Sequence, residues 1–98
     1  MGCSGCDWDP QKEIINWRKH RIRFADACCV FNDPNLETWE DTGDYDEFRW
    51  IALGRVGLII MFVVYTERHG AERIISARKA APHEEQRYYG RFTQQKRT

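Results

Sequence analysis

Arg73-Ile74-Ile75-Ser76-Ala77-Arg78-Lys79-Ala80 is the stretch whose reading decides the fold. It is a β-branched run with a cation at each end, and it predicts a short strand over residues 72–78. Upstream, residues 58–66 are apolar on both faces, the pattern of a strand at the centre of a sheet. Arg68-His69-Gly70 reads as the turn between them. Residues 47–54 set Phe48, Trp50 and Ala52 opposite Arg49, Ile51 and Leu53, and Arg55-Val56-Gly57 turns the chain into the apolar strand. Residues 36–41 also alternate and fit an edge strand, closed by the turn Thr42-Gly43-Asp44. Connections this short imply an antiparallel meander.

Helices flank the strands. Asp9 is a good N-cap and Pro10 suits a first helical position. Ile14 and Trp17, with Ile15, form an apolar face, and Arg18, Lys19, His20 and Arg21 place cations where the macrodipole favours them. A second helix fits residues 24–31, with Phe24, Ala27, Cys28 and Phe31 on one stripe, and Asn32-Asp33-Pro34-Asn35 stops it. After the strands, Pro82 opens a third helix. Glu84 and Glu85 lie in its first turn, and Tyr88, Tyr89 and Phe92 are its docking aromatics. The expected class is α+β, in the order ααββββα, an antiparallel sheet with its helices packed on one face.

Ninety-eight residues make one domain. The longest apolar run, 56–65, has ten residues, about half of the roughly 20 that cross a bilayer, and no basic segment followed by an apolar one marks a signal peptide. Cys3-Ser4-Gly5-Cys6 has the spacing of half a zinc site, whose other half would be Cys28-Cys29. Neighbouring side chains on a helix diverge by about 100°, so both rarely reach one metal. Cys28 and Cys29 therefore read as small buried hydrophobes, in preference to a zinc site or a disulfide. Residues 1–7 read as a flexible leader and residues 8–98 as the domain.

The net charge of zero hides an asymmetry. Residues 32–48 hold seven acids and no Lys or Arg, whereas residues 67–98 hold eight bases against four acids. A basic C-terminal third suits an anionic partner, and it equally suits a salt-bridged surface. The meander brings Arg49, Arg68 and Arg73 together at one end and Arg55, Arg78 and Lys79 at the other. Either group could hold a phosphate or pair with the acids. An Arg at a strand end is a ready phosphate ligand because its planar fork matches two oxygens. Proton transfer could fall to His20, His69, His83, Lys19, Glu67, Tyr88 or Tyr89. Gly-rich phosphate loops, Ser-His-Asp patterns and carboxylate-rich metal sites are all missing from the sequence. What remains is phosphate chemistry dominated by Arg and Lys, or simple binding.

Four motifs, in order, resemble the BrnT family of bacterial toxins. They are Trp8-Asp9-Pro10; Lys19-His20 followed by Phe24-Ala25-Asp26-Ala27; Val30-Phe31-Asn32-Asp33-Pro34; and Tyr65-Thr66-Glu67-Arg68 with the opening stretch, Arg73 to Ala80. The resemblance implies a RelE-like fold and a cytoplasmic ribonuclease that cleaves mRNA and arrests translation. It also implies a cognate BrnA-like antitoxin whose DNA-binding module lets the complex repress its own promoter. No cofactor, metal or membrane is expected. Arg78 carries over as the strand-end cation of the most distinctive motif, Arg68 from Thr66-Glu67-Arg68, and Lys19 and His20 from their pair. Arg49 joins by its expected position beside Arg68. Base and acid stay unassigned. The chain departs from the family twice: Arg21 replaces the Gly that caps the first helix, and Arg23 replaces the Ser or Thr that caps the second. The rival readings are a non-catalytic partner-binding module derived from such a toxin and a small zinc-linked nucleic-acid adaptor.

Overall fold

The computed structural model describes residues 2–43 and 47–95, without the side chains of residues 92–95. Asp44 and Asp46 of the acidic segment, and Phe92 as a docking aromatic, lie outside what is described. In chain order the elements are β1 (Asp7–Trp8), α1 (Pro10–His20), α2 (Phe24–Ala27), a 3₁₀ turn (Cys28–Asn32), β2 (Glu37–Asp41), β3 (Arg49–Val56), β4 (Ile59–Arg68), β5 (Ala71–Lys79) and α3 (Pro82–Gln95). They form an α+β domain around one five-stranded sheet in the order β1-β5-β4-β3-β2. No helix among the described residues is long and apolar enough to cross a membrane.

The meander of β2 to β5 is antiparallel, with the apolar β4 at its centre and β2 at an edge. Two features of the sheet differ from expectation. A short strand precedes α1: Asp7 and Trp8 pair in parallel with Arg73 and Ile74, so the sheet is mixed. The turn before β4 is Gly57-Leu58, because Arg55 and Val56 still pair with Ile60 and Ile59. Gly57 takes the positive φ of 60° that such a tight turn needs.

The helices occupy both faces, which corrects the expectation of one. Met61, Val63 and Tyr65 alternate along β4 onto the face covered by α2 and the 3₁₀ turn, where Phe24, Ala27, Cys28 and Val30 are buried. Ile60 and Phe62 point to the other face, where α3 seats Tyr88 against Leu53, Ile60 and Ala80. The reason lies in β4 itself. A central strand apolar on both sides needs cover on both. Gly54 permits the close packing of the first layer, since a Cβ there would lie 3.1 Å from the Val30 Cβ.

The second helix ends at Ala27 and continues as the 3₁₀ turn, still burying the expected Phe24, Ala27 and Cys28. The apolar face expected on α1 is not its buried face. Ile14 and Ile15 are 46% and 57% exposed, while the polar Asn16 is 4% exposed. Asn16 Nδ2 donates to the Ala77 carbonyl at 2.9 Å, and the Ala77 N–H donates back to Oδ1 at 3.0 Å. The side-chain amide thus acts as an extra rung on the outer edge of β5, beyond the two residues that β1 pairs.

Both departures at the helix junction have a local explanation. Arg21 adopts the left-handed φ of 58° and its N–H caps the Trp17 carbonyl, at a steric cost of roughly 1–2 kcal/mol that Gly would avoid. Arg23 makes no side-chain cap, but the Glu13 carboxylate accepts from the Phe24 N–H at 2.9 Å.

The cysteines do not behave as unpaired buried hydrophobes. Cys3 is joined to Cys29 and Cys6 to Cys28. The adjacent side chains do diverge, and each meets a different cysteine of the N-terminal segment. The Cys3 N–H also donates to the Ala25 carbonyl at 2.9 Å. Residues 3–7, read as a leader without chemistry, are therefore attached to α2 and the 3₁₀ turn by two bridges.

Candidate functional site

Because Asn16 fixes α1 along β5, the helix forms one wall of a cleft and the sheet forms its floor. Lys12, Ile15, Asn16, Lys19 and His20 come from α1, and Phe62, Val64, Ser76 and Arg78 from β4 and β5, around about 310 Å³. The α1 residues fall at i, i+3, i+4, i+7 and i+8, one face of a helix. Lys19, His20 and Arg78 are thus brought together on one cleft. Lys12, Lys19 and Arg78 are the charged groups of this lining, and no carboxylate joins them.

Arg78 is already engaged. Its two terminal nitrogens donate to Glu84 at 2.8 and 2.9 Å, and its guanidinium lies 4.0 Å from the centre of the Phe62 ring. Glu84 also accepts from the Ala81 N–H at 2.7 Å, closing the first turn of α3. The hydrogen bonds from Arg78, against the cost of burial, hold the Glu84 carboxyl below the usual carboxylate range. Arg78 is consequently fixed in one orientation and partly neutralised.

A second, smaller cleft of about 120 Å³ adjoins the first, lined by Lys12, Thr66, Arg68, Arg73, Ile74 and Ile75 together with Asp9 and Glu47. Arg68 belongs here, apart from Arg78, and reaches Glu47 at 3.5 Å. Arg73 pairs with Asp7 across the β1–β5 register. Arg49 lines neither cleft; it stands opposite Asp41 on β2. The register sets Arg49, Arg68 and Arg73 at one end of the meander as expected; Arg68 and Arg73 line this cleft, and Arg49 is not in its lining. A register shift opposite Val64 and Tyr65 leaves Ile75 as an extra residue on β5, and Ile75 lines both clefts.

Elsewhere in the basic C-terminal third, Arg87 and Arg91 are paired internally. Arg87 donates to Glu37 at 3.0 and 2.8 Å, and Arg91 approaches the same carboxylate at 3.6 Å. His69 occupies the turn before Gly70 with a φ of 56°, and His83 is exposed beside Glu84. Tyr88 is buried, donating its hydroxyl to Asp33 at 2.5 Å. Among the described residues no group of three or more His, Cys, Asp or Glu is arranged to hold a metal ion.

The sequence reading missed Lys12 and Asn16. Their signal was the spacing of Lys12, Asn16 and Lys19 at i, i+4 and i+7, which puts the three on one face with the two lysines flanking the polar anchor.

The domain is thus α+β, with Lys12, Lys19 and His20 on one wall of its cleft and the Glu84-bound Arg78 on its floor. Comparison with family models makes this specific: residues 8–84 match the ribonuclease toxin, BrnT, of type II toxin-antitoxin systems. The chain belongs to that family. A search of curated proteins finds no match. The match leaves Cys3 and Cys6 outside it and includes Cys28 and Cys29, so each bridge ties the segment before the match to the matched domain.

Proposed function

We propose that the protein is the toxin of a BrnT/BrnA-like pair, an endoribonuclease that cleaves mRNA and arrests translation without a metal ion. The observation that carries this reading is the convergence of Lys19, His20 and Arg78 on one cleft whose lining holds no carboxylate. Transesterification of RNA needs proton transfer at the 2′ and 5′ oxygens and cations around the phosphorane. His20 is suited to proton transfer, and Lys19 and Arg78 to charge stabilisation. Arg68 serves the neighbouring cleft, with Arg49 at the same end of the sheet.

A RelE-like origin is supported by the antiparallel meander with paired helices before it and one after. The antitoxin would neutralise the protein by covering the cleft, and its DNA-binding module would carry the complex to their promoter. The setting for such a role is the cytoplasm.

The Arg78–Glu84 pair favours a second reading, a non-catalytic partner-binding module, because a cation already held by a carboxylate is a poorer phosphate ligand. RNA cleavage by the purified protein in chelator separates the two. Cleavage is expected to persist, and Arg78→Ala to lower its rate by roughly 10²–10³, the cost of one preorganised donor. Arg78→Lys should recover little of it. A folded, fully active Arg78→Ala protein would remove Arg78 from the site, and a wild-type protein that cleaves nothing would leave the binding module as the reading.

A further inference from the structure

Lys12 stands where the two clefts meet. It lines both, facing Ile75, the bulged residue of β5 that also lines both. Lys12 and Lys19 are seven residues apart on one face of α1, so their Cα atoms lie about 10 Å apart along the helix. That exceeds the roughly 3.4 Å that one nucleotide occupies along a stacked strand. That spacing is wide enough for the two ammonium groups to reach different phosphates of one chain.

Their lack of ion pairs distinguishes them from the arginines of the clefts. Arg68, Arg73, Arg78, Arg87 and Arg91 each pair with a carboxylate. Neither Lys12 nor Lys19 has a salt-bridge partner among the described residues, and both are exposed. In the second cleft Arg73 is held by Asp7 and Arg68 by Glu47, so Lys12 is the cation of that lining without a salt bridge among the described residues. The Arg68–Glu47 pair is half exposed at 3.5 Å, so it holds Arg68 only weakly against an incoming anion.

We propose that the two clefts form one track for the backbone of a single-stranded polynucleotide, with Lys12 holding a second phosphate beyond the one at Lys19 and Arg78. The proposal rests on the ribonuclease reading for the first cleft and adds the subsite next to it. The seam runs between α1 and the floor formed by β4 and β5, and a single strand presents one line of phosphates to it, whereas a duplex would present two. Ile15, Phe62, Val64 and Ile75 give the bases an apolar wall.

The test uses the full-length protein and uncleavable 2′-deoxy oligonucleotides of two to five residues, with affinity measured by fluorescence anisotropy across a salt series. Affinity is expected to rise with length until the second subsite is filled. Lys12→Ala should abolish that step and lower the slope of log K against log salt by about 0.7, the value for one phosphate of a single strand. Lys12→Arg should restore both. Arg18→Ala removes one exposed cation of the same helix outside the clefts and should change neither. Equal effects of Lys12→Ala and Arg18→Ala would overturn the track, since only bulk charge would then matter. A poly-glutamate peptide that binds more tightly than the oligonucleotides would also overturn it, marking the seam as a protein-docking surface. A protein that cleaves RNA but binds these strands without regard to Lys12 loses the subsite and keeps the ribonuclease reading. One that binds through Lys12 and cleaves nothing does the reverse.

Discussion

Asn16 is a polar residue in a buried position, and the fold depends on what it bonds. Its amide satisfies both backbone groups of Ala77 and donates to the Ile22 carbonyl at 3.2 Å. Ala77 is fully buried, so water cannot replace the amide there. Asn16→Leu keeps the volume and leaves those backbone groups without partners. It should destabilise the protein by about 2–4 kcal/mol, at roughly 1–3 for each unsatisfied group. Asn16→Asp retains the acceptor for the Ala77 N–H but loses both donated bonds, and should also be destabilising. Urea unfolding measures both. A change below about 0.5 kcal/mol for Asn16→Leu would mean that apolar contact, and not the amide, holds α1 to β5. The same residue sets where Lys12, Lys19 and His20 stand relative to Arg78.

Among the elements, the N-terminal segment differs most from its reading. Cys3–Cys29 closes a separation of 26 residues and Cys6–Cys28 one of 22. A first cross-link of this size stabilises by about 3 kcal/mol. The second is nested inside the first and closes only a short additional loop, so it adds less. Reduction should lower stability by about 3–5 kcal/mol, and the double variant Cys6→Ser, Cys28→Ser by less than half of that. Denaturation with and without reductant, alongside thiol titration, checks both values. Stability indifferent to reductant in a protein shown to carry both bridges would remove them as a stabilising device. Apart from the bridges, the segment is held by the β1–β5 pairing, the Asp7–Arg73 ion pair and the Cys3–Ala25 hydrogen bond.

For the whole molecule, charge is organised as pairs between distant segments, and this sets the pH dependence of stability. Arg78 holds Glu84, and Arg87 with Arg91 holds Glu37, below the usual range. Burial opposes the Asp33 carboxylate, but hydrogen bonds from Tyr88, Arg55 and Asn35 outweigh it and lower that group too. A carboxyl with a depressed folded pKa binds its proton more tightly when unfolded. Its contribution is complete above the unfolded values of 3.8 for Asp and 4.5 for Glu, and is lost as pH falls through the folded ones. Tyr88 has the opposite sign: burial first, then Asp33, raises it above 10.0, so its contribution is complete below pH 10.0 and is lost as pH rises through the folded value. Stability should be level through neutrality, fall below about pH 4.5 and fall again above about pH 10. Chemical denaturation across this range measures it, and an unchanged midpoint from pH 7 to pH 3 would show that the carboxylate pairs contribute nothing.

The sequence by itself determined α1, α2, the four strands of the meander and α3 in their order, though not β1, because turn residues, caps and the two hydrophobic periods are local signals. Asp9 with Pro10, the β-branched runs of β4 and β5, and Pro82 were legible in this way. It also determined the family, whose short motifs survive as a linear pattern, and it picked out Lys19, His20 and Arg78. The tertiary structure alone decided which of these cations meet. Arg49, Arg68 and Arg78 all sit on strands of one sheet, but only register and the placement of α1 decide that Arg78 faces Lys19 while Arg68 takes the next cleft and Arg49 neither. It decided the cover of both sheet faces, the burial of Asn16 in place of Ile14 and Ile15, and the cysteine pairing. Each of these depends on contacts between residues far apart in the chain, such as Asn16 with Ala77 or Arg87 with Glu37, and periodicity carries no record of them.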